Sequence, residues 1–215
     1  MLPLRIRYQT LEFKGVDIHL RTLRDLQQFG VDESTVGDEV PLASWPLFGV
    51  VWESSEVLAH FLADYDIEGK RVLEVGCGIG LASLVLNSRQ ADVTATDYHP
   101  EAQHFLEENV RLNGGRPIPF VRTDWAHQCP ALGTFDLIVG SDLLYAPEMV
   151  EPLSTFINRH ANRYCEVLIV DPGRGLDMQF SSRMERVGYT SSYITPEKTE
   201  YLLNPFGGRI LQYRR

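Results

Sequence analysis

Val72-Leu73-Glu74-Val75-Gly76-Cys77-Gly78-Ile79-Gly80 is the stretch on which the fold turns. Residues 71–75 read as a strand, and the apolar run after Gly80 reads as a helix over 80–88. Between them every second residue is glycine, which permits a tight turn and lets a ligand approach the backbone closely. The helix start offers free N–H groups to whatever sits in that turn. A dinucleotide fingerprint would run G-x-G-x-x-G, but Leu81 stands where its third glycine belongs. Glu74, two residues ahead of the first glycine, would repel a pyrophosphate and suits a cationic cofactor bearing an amino group.

Outward from this loop, strand and helix patterns alternate. A strand at 92–97 precedes a helix over 100–112, with Pro100 in its first turn and Gly114-Gly115 past its end. Strands at 118–123 and 135–141, a helix over 147–162, a strand at 166–170 and a helix over 176–187 follow. Two strands, near 189–195 and 209–214, close the chain. Such alternation predicts a parallel sheet covered by helices on both faces. Upstream, residues 1–25 alternate polar and apolar about Lys14-Gly15 and read as a β-hairpin. Residues 26–44 read as an acidic loop. Trp45 to Trp52 is a dense apolar run, and 53–65 is an amphipathic helix. The expected organisation is a single domain over 1–215, with the hairpin and acidic loop in 1–44 and the α/β core in 45–215.

Open α/β sheets bind ligands beyond the carboxyl ends of their strands. Asp97 ends the second core strand, where an acid can accept both hydroxyls of a ribose; it could also cap the 100–112 helix. Thr123-Asp124-Trp125 ends the third, joining a carboxylate for an adenine amino group to a ring that can cover the base. Ser141-Asp142-Leu143-Leu144-Tyr145 ends the fourth. Asp142 and Tyr145 lie three apart, so one turn can aim both at one pocket. There the carboxylate can hold an amine and the ring face a developing cation. Asp142 could instead cap the following helix.

Composition narrows the class. The chain has 215 residues, 44% hydrophobic and 23% charged, which suits one globular domain. Its net charge is -9, whereas a nucleic-acid binder usually carries a basic face. The acidity sits in one block: residues 31–110 hold 3 basic and 15 acidic side chains. That block is either plain solvated surface or an attractor of cationic partners. No stretch approaches a membrane span of ~18 apolar residues, and no secretory signal is evident at the start. Three scattered cysteines, Cys77, Cys129 and Cys165, form no CxxC pair and suit a reduced, cytoplasmic protein. His99 and His104 are five apart and point to different helix faces, while His19, His60, His127 and His160 are scattered and read as surface or loop residues, and no metal site is expected.

Taken together, these residues resemble the class I, seven-β-strand S-adenosylmethionine-dependent methyltransferases, and more narrowly the protein-lysine methyltransferase family 16. Trp52, the Glu74–Gly80 loop, Thr96-Asp97, Asp124-Trp125 and the Asp142–Tyr145 tetrad carry the resemblance. It implies a Rossmann-like doubly wound sheet of order 3-2-1-4-5-7-6 with the last strand antiparallel, extended by the N-terminal β-hairpin. It implies S-adenosylmethionine as cofactor, bound by Trp52, Glu74, Gly76, Gly78, Gly80, Asp97, Asp124, Trp125 and Ser141. Asp142 and Tyr145 would be the catalytic pair facing the acceptor nitrogen. The implied partner is a protein with an accessible lysine, and the enzyme is expected to be a monomer. Asp171-Pro172-Gly173-Arg174 further resembles the subgroup acting on the electron transfer flavoprotein β subunit.

Other readings remain open at this point. A small-molecule N-methyltransferase for a nicotinamide-like amine would share every cofactor residue, and a binding module without catalysis would keep the fold. A nucleic-acid methyltransferase acting on adenine would usually place an (N/D)PP(Y/F) tetrad where Asp142-Leu143-Leu144-Tyr145 stands. Asn204-Pro205-Phe206 looks similar but lies between the last two strands and reads as a turn.

Overall fold

The computed structural model describes residues 5–24, 48–126 and 129–215. The acidic loop read at 26–44 and the run Trp45-Pro46-Leu47 lie outside the described residues. Strands β1 (Ile6–Phe13) and β2 (Val16–Leu23) form the expected hairpin, turned by Lys14 and Gly15, both at positive φ. Helix α1 (Glu53–Leu62) follows. The core then runs β3 (Arg71–Val75), α2 (Leu81–Ser88), β4 (Asp92–Asp97), α3 (Ala102–Leu112), β5 (Phe120–Arg122) and β6 (Phe135–Ser141). It continues through α4 (Val150–His160), β7 (Ala161–Asp171), α5 (Asp177–Arg186), β8 (Thr190–Ile194) and β9 (Arg209–Arg214).

The seven core strands lie in the order β5-β4-β3-β6-β7-β9-β8. Counted within the sheet this is the expected 3-2-1-4-5-7-6. Pairings from β5 through β7 are parallel, and β9 runs antiparallel to both β7 and β8. All five parallel strands therefore end on one edge.

Both sheet faces are buried, which is why the central strands read as nearly continuous apolar runs. Val72, Leu137, Val139, Leu168 and Val170 point into the core shared with α1, α2 and α3. Leu73, Val75, Ile138, Val167 and Ile169 point the other way, into the core shared with α4 and α5.

The helix expected over 147–162 differs at both ends. Pro147–Met149 forms a 3₁₀ turn, closed by Met149 N–H donating to the Ala146 carbonyl at 3.0 Å, before α4 begins. Proline suits such a first turn because its missing N–H would have no partner there. At the other end the chain enters β7 directly from His160, so this strand starts five residues earlier than the 166 expected.

The hairpin is tied to the core by two asparagines, Asn109 in α3 and Asn113 just past its end. Asn113 exchanges hydrogen bonds with the backbone of His19, at 2.8 and 2.7 Å. Asn109, fully buried, accepts from Arg21 N–H at 2.6 Å and donates to the carbonyls of Arg21 and Ile79. Alternate residues of the β2 edge are thus satisfied by side chains, and one of these also grips the glycine turn. Asn109→Ala leaves three backbone groups without that partner. It is expected to lower stability by about 3 kcal/mol, given ~1 kcal/mol or more per unsatisfied buried group. Urea unfolding checks this, and a loss below ~0.5 kcal/mol would contradict it.

Candidate active site

The carboxyl edge of the parallel strands surrounds a cavity of about 450 Å³. That is within the range of small-molecule sites, roughly 300–1,000 Å³. Of the eleven residues proposed from sequence, nine line it: Trp52, Gly76, Gly78, Asp97, Asp124, Trp125, Ser141, Asp142 and Tyr145. Four strand ends and the start of α1 therefore converge on one space.

The glycine turn forms its floor. Gly76, Gly78 and Gly80 all have positive φ, at 64°, 53° and 81°. A Cβ on Gly78 would meet nothing within 4 Å, so the backbone is open to a ligand there. The turn is held by Asp97, whose Oδ2 accepts from Gly78 N–H at 2.7 Å and whose Oδ1 accepts from His99 N–H at 2.8 Å. Burial raises the Asp97 carboxyl, and the backbone donors of His99, Gly78 and Tyr98 oppose that rise. Asp97 therefore braces the turn while keeping lone pairs toward the cavity.

Two residues expected beside the cofactor stand elsewhere. Glu74, only 3% exposed, is on the sheet face covered by α2. Its Oε2 accepts from the Ser83 N–H at 2.9 Å and from the Ser83 hydroxyl. It thus serves one of the free donors in the first turn of α2. Gly80, the residue before α2, is turned toward Leu106 of α3, which a Cβ would strike. Both hold the turn from behind and do not reach the cavity wall.

Burial, with a smaller contribution from the charge of Asp97, pushes Glu74 up to about 7, against the Ser83 hydrogen bonds. A carboxyl raised on folding binds more protons in the folded chain. Its stabilisation is present below the ordinary value near 4.5 and is lost as pH rises toward 7. Glu74→Gln keeps an oxygen for Ser83 and is expected to abolish this loss, worth about 3 kcal/mol. Urea unfolding of both proteins at low and at neutral pH tests it. Equal pH slopes would remove Glu74 as the source.

Opposite the glycine turn, Asp142 has φ 55°, a left-handed conformation that Asp tolerates better than most residues. Its N–H donates to Val170 O at 2.9 Å, binding the end of β6 to that of β7. Asp142 does not cap α4, which starts at Val150. Its carboxylate meets Arg174 in a bidentate pair, Nε to Oδ1 at 2.5 Å and Nη2 to Oδ2 at 2.7 Å. Tyr145 stands beside it, 44% exposed, its hydroxyl pushed up by burial and by the charges of Asp97, Glu148 and Asp142.

Sequence reading missed several wall residues. Phe48, Val50 and Ser55 line the cavity from the α1 side, and Tyr98 and His99 from the end of β4. Ser55 also fixes the start of α1, its hydroxyl accepting from Trp52 N–H at 3.1 Å and donating to Trp52 O at 2.7 Å. The surface reading fails for His160, which is buried, and His99 is buried as well. His99 stacks on Phe48 with ring centroids 3.7 Å apart, and burial plus the Arg122 charge push it down to about 4. It is neutral at neutral pH. Arg174 also lines the cavity; its motif was visible in sequence but its pairing with Asp142 was not.

A family model described as lysine methyltransferase matches residues 46–186. The chain is 32% identical to the calmodulin-lysine N-methyltransferase of Arabidopsis thaliana, over 64% of this chain and 49% of that protein. It is 30% identical to the electron transfer flavoprotein beta subunit lysine methyltransferase of Rattus norvegicus, over 72% of this chain and 61% of that one. The chain thus spans about half to three fifths of these relatives' lengths. Among solved structures, the magnesium protoporphyrin IX methyltransferase of Synechocystis PCC 6803 with bound SAM superposes with a TM-score of 0.59 at 19% identity, covering 88% of each chain. At that identity the likeness concerns the fold.

Proposed function

This chain belongs to the lysine methyltransferase family, and we propose that it transfers a methyl group from S-adenosylmethionine to a lysine side chain of a protein. The observation that carries this is the convergence of Asp97, Asp124 and Asp142, from three strand ends, on one cavity floored by the glycine turn. The cavity fits the cofactor. Its size suits a small molecule, Gly78 leaves the floor open, and acidic strand ends match hydroxyl, amino and cationic groups in place of phosphates.

In this reading Asp97 accepts the ribose hydroxyls, and Asp124 and Trp125 take the adenine. The Gly76–Gly78 turn and Ser141 surround the methionine part, with Trp52 packed beside it. Glu74 and Gly80 act through the turn they support. Bound S-adenosylmethionine supplies a methyl group carried on a sulfonium sulfur. The chain's own task is to bring a neutral amine in line with it. A free lysine amine is mostly protonated at neutral pH, with a reference pKa of ~10.4. Removal from water and the nearby sulfonium charge lower that value. Asp142 and Tyr145 orient the amine, so much of the rate comes from positioning. The exposed ring of Tyr145 leaves the acceptor end open, which favours a side chain reaching in from a folded protein.

The electron transfer flavoprotein β subunit is a first acceptor to try, on the name of the rat relative and the Asp171-Pro172-Gly173-Arg174 loop. We read the enzyme as a monomer and residues 1–215 as one domain. The three free thiols suit the cytoplasm. No described helix is long and apolar enough to cross a membrane. The acidic wall and the absence of a proline pair in the Asp142–Tyr145 tetrad speak against a nucleic-acid acceptor.

Labelled methyl transfer from S-adenosylmethionine into a whole-cell lysate tests the reading. Label in protein lysine is expected. Label found only in small molecules would overturn it.

A further inference from the structure

On the lysine reading above, we infer that Arg174 is a positioning residue that neutralises Asp142, so that the acceptor amine enters free to lose its proton. Among the described residues the wall of the cavity holds four carboxylates, Asp97, Asp124, Asp142 and Glu148. Arg174 is the only Arg or Lys among its described residues. Elsewhere on the wall, His99 is neutral at neutral pH and Tyr145 keeps its proton. An unpaired carboxylate a few ångströms from an amine favours the ammonium form by ~1–3 pKa units. That opposes methyl transfer, which needs the lone pair. The bidentate pair, with both Asp142 oxygens engaged at 2.5 and 2.7 Å, cancels this charge while leaving Asp142 lone pairs to orient an N–H.

The loop carrying Arg174 is built to hold this position. Asp171, at the end of β7 and 3% exposed, accepts from Gly173 N–H at 3.0 Å. Gly173 takes φ 98°, and Pro172 fixes the step between them. The Asp171 charge acts on Arg174 as well, and the guanidinium's pKa is raised above its ordinary value, first by the Asp142 bond. Asp142 in turn is bonded through its N–H to Val170 O, next to Asp171. The two partners are therefore anchored to neighbouring strand ends, and the pair does not depend on a long side chain finding its target.

The test is a pH–rate profile of the wild type, Arg174→Gln and Arg174→Lys. Enzyme is held in excess over the endogenous lysine acceptor of a whole-cell lysate, so that a single turnover reports the bound complex. For Arg174→Gln the profile is expected to move up by about one pH unit, a roughly tenfold loss at neutral pH that alkaline pH restores. Arg174→Lys, which keeps the charge, is expected to lie near the wild type. Calorimetry should show wild-type cofactor affinity in both. A loss in Arg174→Gln that is equal at all pH values would mean a merely structural role and overturn the inference. So would an unchanged or faster rate at neutral pH, which would make Arg174 a plug over Asp142. Wild-type enzyme that labels no lysine would remove the lysine reading itself, and the inference with it.

Discussion

Asp142→Ala is expected to cut lysine methylation by on the order of 100-fold or more, while S-adenosylmethionine binds as it does to the wild type. Two losses combine in this variant. On the proposed role of Asp142, the amine loses the oxygen that orients it, and small displacements from an in-line approach are costly. Arg174 also loses its bidentate partner and stays in the cavity wall as an unbalanced cation, repelling an incoming ammonium. Cofactor affinity is expected to be spared because, Ser141 apart, the proposed cofactor contacts lie at Trp52, the glycine turn, Asp97 and the end of β5. Asp142→Asn separates the two losses. Asn tolerates the left-handed φ of 55° and keeps one acceptor oxygen, so it retains orientation while unbalancing Arg174. An intermediate rate is expected from it. Radiolabel incorporation, with cofactor affinity measured on the same preparations, decides the matter. Unchanged turnover in Asp142→Ala would take Asp142 out of the acceptor site.

The strand-end carboxylates were legible in sequence because a parallel sheet makes position along the strand equivalent to position in space. Asp97, Asp124 and Asp142 each follow an apolar strand, and all β–α units place that point on the same edge. The strand order is what the family resemblance implies, since alternation of strand and helix predicts a parallel sheet without fixing the order of its strands. Glu74 shows the limit. Its neighbours Leu73 and Val75 face the α4 side, so the two-residue period of a strand already puts Glu74 on the opposite face, under α2. Reading it as a ligand contact attended to its charge and overlooked that parity. Arg174 and His99 were hidden for a different reason. Their partners, Asp142 and Phe48, are distant in sequence, and nothing local marks a paired arginine or a stacked, neutral histidine. The start of β7 was missed because its polar residues Asn162, Arg163 and Tyr164 lack the apolar run that signals a buried strand; pairing of Phe135 with Ala161 extends it.

Asp97→Ala is expected to weaken S-adenosylmethionine binding by roughly 100-fold, about 3 kcal/mol, the scale of two hydrogen bonds to a charged acceptor. The carboxylate does two things at once. It faces the cavity, where a ribose offers two hydroxyl donors, and it holds the N–H groups of Gly78 and His99. Removing it would therefore take away the proposed ribose contacts and loosen the turn that Asp97 holds. Asp97→Asn divides these effects, because it keeps one acceptor oxygen where the carboxylate has two, and it carries no charge. Its affinity is expected to fall between those of the wild type and Asp97→Ala. Thermal unfolding of the cofactor-free proteins reports the bracing role alone, and calorimetric titration reports both. Equal cofactor affinity in Asp97→Ala would remove Asp97 from the ribose site. A drop in affinity that tracks only the loss of thermal stability would leave Asp97 as a brace of the glycine turn. The outcome expected is a loss of affinity larger than the loosening of the turn can explain, since the burial that raises the Asp97 carboxyl is burial beside an open cavity that a pair of hydroxyls would satisfy.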